Sequence, residues 1–286
     1  MSIRIGTRGS PLALAQARIV ATLLGEPAEL VVIHTAGDAT EAPLSELGDG
    51  IFVSAIEQAL LRGEIDLAVH SLKDLPTEEH DALVIAAIPE REDPRDVLVT
   101  RARAGLASLP AGADVGTSSP RRAAFIRALA PGSLPRDIRG NVETRMRKVS
   151  DGAYDATILA LAGPRRVGIA IGEVEILSLA QCPPAPGQGA LAIQCRRADA
   201  PVRDRLTRID HAPTRLAVTA ERALLRELGA SCAIPLGAYG HADGAEIVLE
   251  AALAEDGAVV RASMRGSDPL EVAKRAAAVL GAAVGA

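Results

Sequence analysis

The chain of 286 residues has very few aromatic side chains: two Phe, two Tyr and no Trp. Because proteins bind single-stranded nucleic acids largely by stacking bases on aromatic side chains, this scarcity leads us to expect no nucleic acid partner. Hydrophobic residues still make up 48% of the chain, so the cores must be built from Ala, Val, Leu and Ile. Such side chains suit α/β layers, and the length favours two or three domains.

Cysteine is also scarce. The three cysteines, Cys182, Cys195 and Cys232, are an odd number and form no C-x-x-C pair. Neither a disulfide framework nor a zinc site is therefore indicated, and we expect no metal. No apolar run approaches the roughly 20 residues that span a bilayer. The first residues resemble a strand rather than an apolar signal core, so we expect a cytoplasmic protein without a membrane partner.

Charge is unevenly distributed along the chain. The net charge is −5, yet residues 115–148 hold eight basic residues against two acidic ones. This segment is therefore +6 and the rest of the chain −11. A local basic patch in an acidic protein points to a specific anionic ligand, although a solvated helix face is an alternative interpretation.

Strand-like and helix-like segments alternate from the start of the chain. This order predicts a mostly parallel sheet with helices on both faces. The predicted segments are strand Ile3–Thr7, helix Pro11–Leu24, strand Leu30–His34, helix Ile51–Arg62, strand Ile65–His70 and the loop Ser71–Thr77. The alternation restarts near residue 114, where Val115-Gly116-Thr117-Ser118-Ser119-Pro120 echoes Ile5-Gly6-Thr7-Arg8-Gly9-Ser10-Pro11. We therefore predict two α/β lobes of similar build.

Two proline-rich segments, Pro89–Pro94 and Pro183–Gly187, are the predicted crossings between the lobes. The strand-like segment Gly189–Arg196 is predicted to return to the first lobe. A helix and short alternating strands follow, which predicts a small α+β domain. The predicted boundaries are residues 1–92 with 190–207 for domain 1, 93–189 for domain 2 and 208–286 for domain 3.

Both echoed segments carry the signature of a helix start. Ser10 and Ser119 are good N-caps, and the proline after each suits the first helical position. The free N–H groups of such a start attract anions, but a plain capped helix explains the same pattern. Arg121 and Arg122 lie in the first turn, where positive charge opposes the helix dipole. Helix stability does not explain them, so we predict an anionic ligand.

Further candidates follow other predicted strands. Arg8 precedes Ser10, and four more arginines lie near later strand ends: Arg139, Arg145, Arg165 and Arg166. Lys73 and Asp74 follow the strand Ile65–His70. Asp74 is a candidate for holding or relaying a proton, or it pairs with Lys73. His70 is predicted to be a packed strand residue.

Cys232 lies in a loop of small residues, where a thiol is accessible, unlike Cys195 within a strand. It is therefore a candidate nucleophile or attachment point.

Six segments in this order resemble the porphobilinogen deaminase (hydroxymethylbilane synthase) family. They are Thr7-Arg8-Gly9-Ser10-Pro11-Leu12-Ala13-Leu14, Val69-His70-Ser71-Leu72-Lys73-Asp74-Leu75-Pro76, Arg91-Glu92-Asp93-Pro94-Arg95-Asp96, Gly116-Thr117-Ser118-Ser119-Pro120-Arg121-Arg122, Arg139-Gly140-Asn141-Val142 and Pro186-Gly187-Gln188-Gly189-Ala190. The resemblance implies two lobes built like type II periplasmic binding proteins plus a small C-terminal α+β domain. It also implies a monomeric transferase that joins four porphobilinogen molecules head to tail into hydroxymethylbilane.

The resemblance further implies a dipyrromethane cofactor, attached through a thioether to Cys232, with Asp74 as the catalytic carboxylate. The implied cofactor-binding residues are Lys73, Asp74, Ser119, Arg121, Arg122 and Arg145. The implied substrate-binding residues are Arg8, Ser10, Arg139, Arg145 and Arg166.

Two departures from the family pattern stand out. Asp49 and its neighbours lack the lysine usual just before Phe52, and Pro120 replaces a common apolar residue. A non-catalytic binding protein and a phosphoribosyltransferase remain alternative functions, but neither needs an accessible Cys232.

Overall fold

A computed structural model describes residues 2–35, 53–101, 105–172, 174–229, 234–255 and 257–284. The chain divides into two compact units, each described by itself below. Unit 1 comprises Met1–Glu92 and Gly189–Arg215, and unit 2 comprises Asp93–Gln188 and Leu216–Ala286. The three-domain boundaries given above stay a prediction.

The elements follow one another in the alternating order expected of an α/β protein. The first half contains β1 (Ile3–Thr7), α1 (Pro11–Leu24), β2 (Ala28–Val32), α2 (Ser54–Leu61), β3 (Leu67–Ser71), β4 (Leu83–Ala87), β5 (Asp96–Thr100), β6 (Asp114–Gly116), α3 (Pro120–Leu129) and β7 (Leu134–Arg136). The second half contains α4 (Val142–Ser150), β8 (Ala156–Ala160), α5 (Ala162–Val167), β9 (Glu175–Ile176), β10 (Leu191–Arg196), α6 (Ala200–Leu206), α7 (Ala212–Glu227), β11 (Leu236–Asp243), β12 (Glu246–Glu255), β13 (Ala258–Gly266) and α8 (Pro269–Val284).

The sheet of unit 1 has the strand order β2-β1-β3-β10-β4. Strand β1 is parallel to β2 and β3, whereas β10 is antiparallel to β3 and β4. The chain therefore returns to its first sheet through β10, as predicted. Ile5, Leu67 and Ile193 on adjacent strands pack with Ala17 and Val20 of α1 in one buried cluster.

The main sheet of unit 2 has the order β7-β6-β8-β5-β9. Strand β6 is parallel to β7 and β8, and β5 is antiparallel to β8. Three parallel strands followed by an antiparallel one repeat the order of unit 1, which confirms two α/β lobes of similar build. The echoed glycines lie in close packing, because a Cβ at Gly6 would overlap the end of the Ile65 side chain and one at Gly116 would overlap Ile138, so these isoleucines would have to shift.

The C-terminal part of unit 2 is a small α+β layer, whose antiparallel sheet β11-β12-β13 is buried on both faces at residues 251–254 of β12. Along β12, Leu249 and Leu253 belong to a core shared with α7 and α8. The alternate residues Ala252 and Ala254 pack with Phe125 of helix α3. The period of two along a strand thus places β12 between two cores.

Several predicted boundaries were wrong by a few residues. The strand predicted at Leu30–His34 spans Ala28–Val32, because Ala28 pairs with Ile3 at the beginning of β1. In the predicted loop after β3, Ser71 still belongs to the strand and Leu72–Asp74 form a 3-10 turn. The helix predicted from residue 51 is described from Ser54 onward, and loop 39–50 lies outside the described residues.

Candidate functional site

The carboxyl edge of the unit 1 sheet carries the first group of candidates. Strands β1 and β3 are parallel neighbours, so the residues that follow them lie at one edge of the sheet. The Ser10 side chain accepts a hydrogen bond from the Ala13 amide at 3.2 Å, and Pro11 begins α1. The predicted cap is therefore confirmed. Arg8, which precedes it, is half-buried.

Lys73 and Asp74 lie in the 3-10 turn after β3, at the same edge. Asp74 is exposed and makes no hydrogen bond or ion pair in the part of the chain that the structure describes. A pairing of Asp74 with Lys73, which the sequence left open, is therefore absent there. A carboxylate in this state is available to a ligand.

His70 precedes this turn and is buried within β3, with 6% of its surface exposed. Burial lowers the pKa of His70 to about 4, against a weaker opposing effect of Gln194. The imidazole is therefore neutral at physiological pH, and its Nε2 atom has no hydrogen-bond partner among the described residues. The prediction of a packed strand residue is confirmed.

The carboxyl edge of the main unit 2 sheet carries the second group. The loops after β6 and β7 are held together, because the Ser118 hydroxyl donates to the Ile138 carbonyl at 2.7 Å and accepts from the Ile138 amide at 3.2 Å. Ser119 caps α3 by accepting from the Arg122 amide at 3.4 Å. Asn141 caps α4 in the same way from the Thr144 amide, at 2.9 Å.

The structure corrects the interpretation of Arg121 and Arg122. Both side chains are buried, and both form ion pairs with the carboxylate of Asp96, at 2.7 and 2.8 Å. An internal carboxylate thus offsets charge that we had attributed to a ligand alone. The prediction that these arginines lack a partner within the protein was wrong, because Asp96 lies far away in sequence. Their predicted role in holding a cofactor is not tested by this contact.

Positive charge nevertheless remains in excess at this edge, since one carboxylate faces two guanidiniums. Arg145, in the first turn of α4, is half-buried and donates from Nε to the Gly140 carbonyl at 2.8 Å. Burial lowers the pKa of Arg145 to about 10, and the positive charges of Arg122 and Arg139 act in the same direction, against Asp137. In the described part of the chain, Arg145 forms no ion pair.

The helix after β8 adds two more cations to unit 2. Arg166 is half-buried in α5. Its neighbour Arg165 is exposed and lies 3.5 Å from the carboxylate of Asp93. Strand β8 is parallel to β6, so α5 begins at the same sheet edge as α3.

Sequence reasoning missed Asp96 and Gln188 as parts of this site, although both lie in the segments that carry the resemblance. Asp96 is fully buried at the start of β5, and the Gln188 side-chain amide donates to it at 2.8 Å. The available signal was an acidic residue directly before the apolar run Val97–Val99, a position that needs a buried positive partner.

The two described cysteines are poor nucleophiles. Cys182 and Cys195 are both buried, and burial raises the pKa of each thiol to about 11. Both thiols therefore stay protonated at physiological pH. Cys232, the predicted attachment residue, lies outside the described residues.

The described residues contain no cluster of three or more His, Cys, Asp or Glu side chains that could hold a metal ion. Within the same ranges, no helix is long and apolar enough to cross a membrane.

The fold and these edges define a class: an α/β protein with capped helix starts and excess arginine charge, suited to binding an acidic small molecule. Residues 3–204 match the family model described as porphobilinogen deaminase, dipyrromethane cofactor binding domain. Residues 215–282 match the C-terminal domain of the same family. The chain belongs to the porphobilinogen deaminase family.

Individual relatives show the extent of the similarity. The porphobilinogen deaminase of Thermobifida fusca is 52% identical over 264 residues, which cover 90% of this chain and 81% of that protein. That of Nocardia farcinica is 49% identical over 286 residues, covering 95% and 82%. Among solved structures, a probable extracellular amino-acid-binding protein of Bacillus subtilis, YtmK, matches with a TM-score of 0.45 and 10% identity, over 73% of this chain and 90% of that one.

Proposed function

We propose that Asp74 is the catalytic carboxylate of this chain and that the arginines of unit 2 hold an acidic pyrrole chain. The reaction of the family is a transfer: four porphobilinogen molecules are deaminated and joined head to tail into hydroxymethylbilane. The observation that carries the proposal is the half-buried guanidinium of Arg145, which donates to the Gly140 carbonyl and forms no ion pair among the described residues.

The ligand chemistry matches this charge. Each porphobilinogen ring carries an acetate and a propionate, so a growing chain gains two negative charges per ring. Guanidiniums bind carboxylates through two parallel hydrogen bonds and stay charged at any working pH. The guanidiniums of Arg121 and Arg122 share the single carboxylate of Asp96. The guanidinium of Arg145 forms no ion pair among the described residues, so this edge carries a net positive charge that favours binding of anions.

The residues present therefore fit a dipyrromethane cofactor, which carries four carboxylates and supplies the free α-carbon from which the chain grows. We assign its binding to Lys73, Asp74, Ser119, Arg121, Arg122 and Arg145. We assign the incoming ring to Arg8, Ser10, Arg139, Arg145 and Arg166. The Ser10 and Ser119 hydroxyls each accept an amide hydrogen bond, so the hydroxyl hydrogen of each remains available to donate to a ligand carboxylate.

Asp74 suits proton transfer because its carboxylate is exposed and has no described partner. Near a pyrrole N–H, it stabilises positive charge that develops as ammonia leaves. In its acid form it assists the departing amine.

Cys232 is the proposed attachment point, through a thioether. In this step the sulfur bonds to the aminomethyl carbon of a first porphobilinogen, the carbon–nitrogen bond breaks, and ammonia leaves with the thiol proton. The two other cysteines support this choice, because both are buried with raised thiol pKa values. A cytoplasmic location and a monomeric state stay predictions.

The mass of the intact protein tests the proposal. After expression in cells that make porphobilinogen, the denatured full chain is expected to exceed its sequence mass by two pyrrole units. Cys232→Ser removes the added mass, whereas Cys195→Ala, at a buried thiol, keeps it. A wild-type chain at its bare sequence mass would contradict both the cofactor attachment and the proposed function.

A further inference from the structure

The carboxylate of Asp96 has no capacity left for chemistry. Its Oδ1 atom accepts from Arg122 Nη2 at 2.8 Å and from Gln188 Nε2 at 2.8 Å. Its Oδ2 atom accepts from Arg121 Nη2 at 2.7 Å and from Arg122 Nε at 3.2 Å. The Cys182 thiol donates to Oδ2 as well, at 3.5 Å. With no exposed surface and with hydrogen bonds to both oxygens, Asp96 cannot contact a substrate and can act only through its partners.

The two arginines are held differently. Arg121 directs Nη1 to the Pro183 carbonyl and the Cys182 sulfur, so it is bound to the protein on both sides of its fork. Arg122 grips Asp96 through Nε and Nη2, and its Nη1 donates to the Ile158 carbonyl at 3.1 Å. One N–H on each terminal nitrogen of Arg122 is left without a partner among the described residues.

The planar guanidinium of Arg122 is therefore fixed by a two-point contact with Asp96, which also fixes the orientation of its remaining N–H donors. A lone hydrogen bond would allow rotation about that contact, whereas a bidentate one does not. The first turn of α3 contributes as well, because the Arg122 amide is bonded to the cap residue Ser119.

We infer that Asp96 is a positioning residue, which fixes the direction of Arg122 and leaves a single net positive charge for the acidic pyrrole chain. The inference rests on the proposed function, because it concerns the same anion-binding edge. It gives Asp96 a role that neither the sequence pattern nor the charge count of the segment 115–148 indicates, since Asp96 lies outside that segment.

Three variants of the full chain, coexpressed with a porphobilinogen supply, test the role. Asp96→Asn keeps the shape but loses the charge, and Asp96→Glu keeps the charge but displaces the contact. Asp114→Asn is the matched control, because Asp114 also begins a strand of the same sheet and pairs with an arginine, Arg136, at 2.5 Å. That pair is partly exposed, and among the described residues no hydrogen bond or ion pair joins it to Arg122.

The measurement is the fraction of folded, size-selected protein that carries the added mass of two pyrroles. We expect this fraction to fall at least about tenfold in Asp96→Asn, to fall less in Asp96→Glu, and to equal wild type in Asp114→Asn. A purely structural role would lower the unfolding temperature but leave the folded molecules fully loaded.

The outcomes separate the two proposals. If wild type itself lacks the added mass, the proposed function fails. If wild type is loaded and either folded Asp96 variant is loaded equally well, only the positioning role is overturned. Should Asp96→Asn not fold, Asp96→Glu decides, and failure of both to fold would assign Asp96 to the fold alone.

Discussion

Asp74 in unit 1 and Asp96 in unit 2 are both aspartates, but the first is exposed and the second is buried. Asp74 lies exposed after a strand and has no partner among the described residues. Asp96 begins a strand, has no exposed surface and accepts two hydrogen bonds on Oδ1 and three on Oδ2. The difference shows that the surroundings of a carboxylate determine its role. The exposed carboxylate of Asp74 can exchange a proton, whereas the buried carboxylate of Asp96 can only orient its neighbours.

The electrostatics of Asp96 follow from this enclosure. Burial alone would raise the pKa of Asp96, but the charges and hydrogen bonds of Arg121 and Arg122 outweigh burial and hold it well below its ordinary value. The stability that Asp96 contributes is therefore fully present above the ordinary carboxyl pKa, and it is lost progressively as pH falls from there through the depressed pKa. It stays ionised under all working conditions.

The largest effect is expected from Asp74→Asn. Because the amide cannot exchange a proton, we expect turnover of porphobilinogen to fall about a thousandfold, within the usual range for a general acid–base group. The measurement is the steady-state rate per cofactor-bearing molecule. Glu79→Gln removes an exposed carboxylate shortly after the same turn and should leave the rate at the wild-type value. Near-normal turnover in Asp74→Asn would remove Asp74 from its role.

The second effect concerns the free energy of unfolding, for which substitution of Asp96 is expected to cost more than substitution of Asp74. Asp96→Asn is expected to lower the free energy of unfolding by about 4 kcal/mol, because it leaves two buried guanidiniums without their counter-ion. Asp74→Asn should change it by less than about 0.5 kcal/mol, since no contact is lost. Urea denaturation of both variants at neutral pH measures the difference. Equal losses would show that the contrast in burial has no energetic consequence.

The third effect concerns His70, which is buried like Asp96 but is neutral and not charged. The folded chain holds the pKa of His70 at about 4, below the ordinary value of 6.5. As pH falls from 6.5 toward 4, His70 becomes protonated in the unfolded chain but stays neutral in the folded chain. The free energy of unfolding therefore falls by about 3 kcal/mol. This contribution is fully present above pH 6.5.

His70→Gln is expected to remove that part of the pH dependence, measured by urea denaturation between pH 7 and pH 4.5. His80→Gln is the control, because His80 is exposed and should leave the slope unchanged. An unaltered slope in His70→Gln would mean that His70 titrates normally in the folded chain.

Local features of the fold were predictable because local chemistry determines them. The caps at Ser10 and Ser119 and the proline after each follow from the needs of a helix start, and both are observed. The repeated strand order was predictable because the two halves repeat a glycine at the end of a buried strand. Strand ends were less predictable, since Ala28 is fixed by its pairing with Ile3.

The site was predictable only in part. The pattern identified the arginines but misjudged why Arg121 and Arg122 occur, because their counter-ion Asp96 is 25 or more positions away. A sequence shows where charge lies along the chain and not which charges meet inside it. The excess of positive charge around Arg145 likewise depends on the hydrogen bond that joins the turns after β6 and β7.

Helix α3 has a second consequence through Phe125, which lies one helical turn beyond Arg121 and Arg122. Its Phe125 is 1% exposed and shares a core with Ala252 and Ala254 of β12. A shortened chain that ends before the C-terminal layer would open this core directly beneath the helix that presents Arg122. Exchange of the C-terminal layer between relatives would therefore require exchange of the α3 surface that packs against it. We expect α3 and the C-terminal layer to be inherited together.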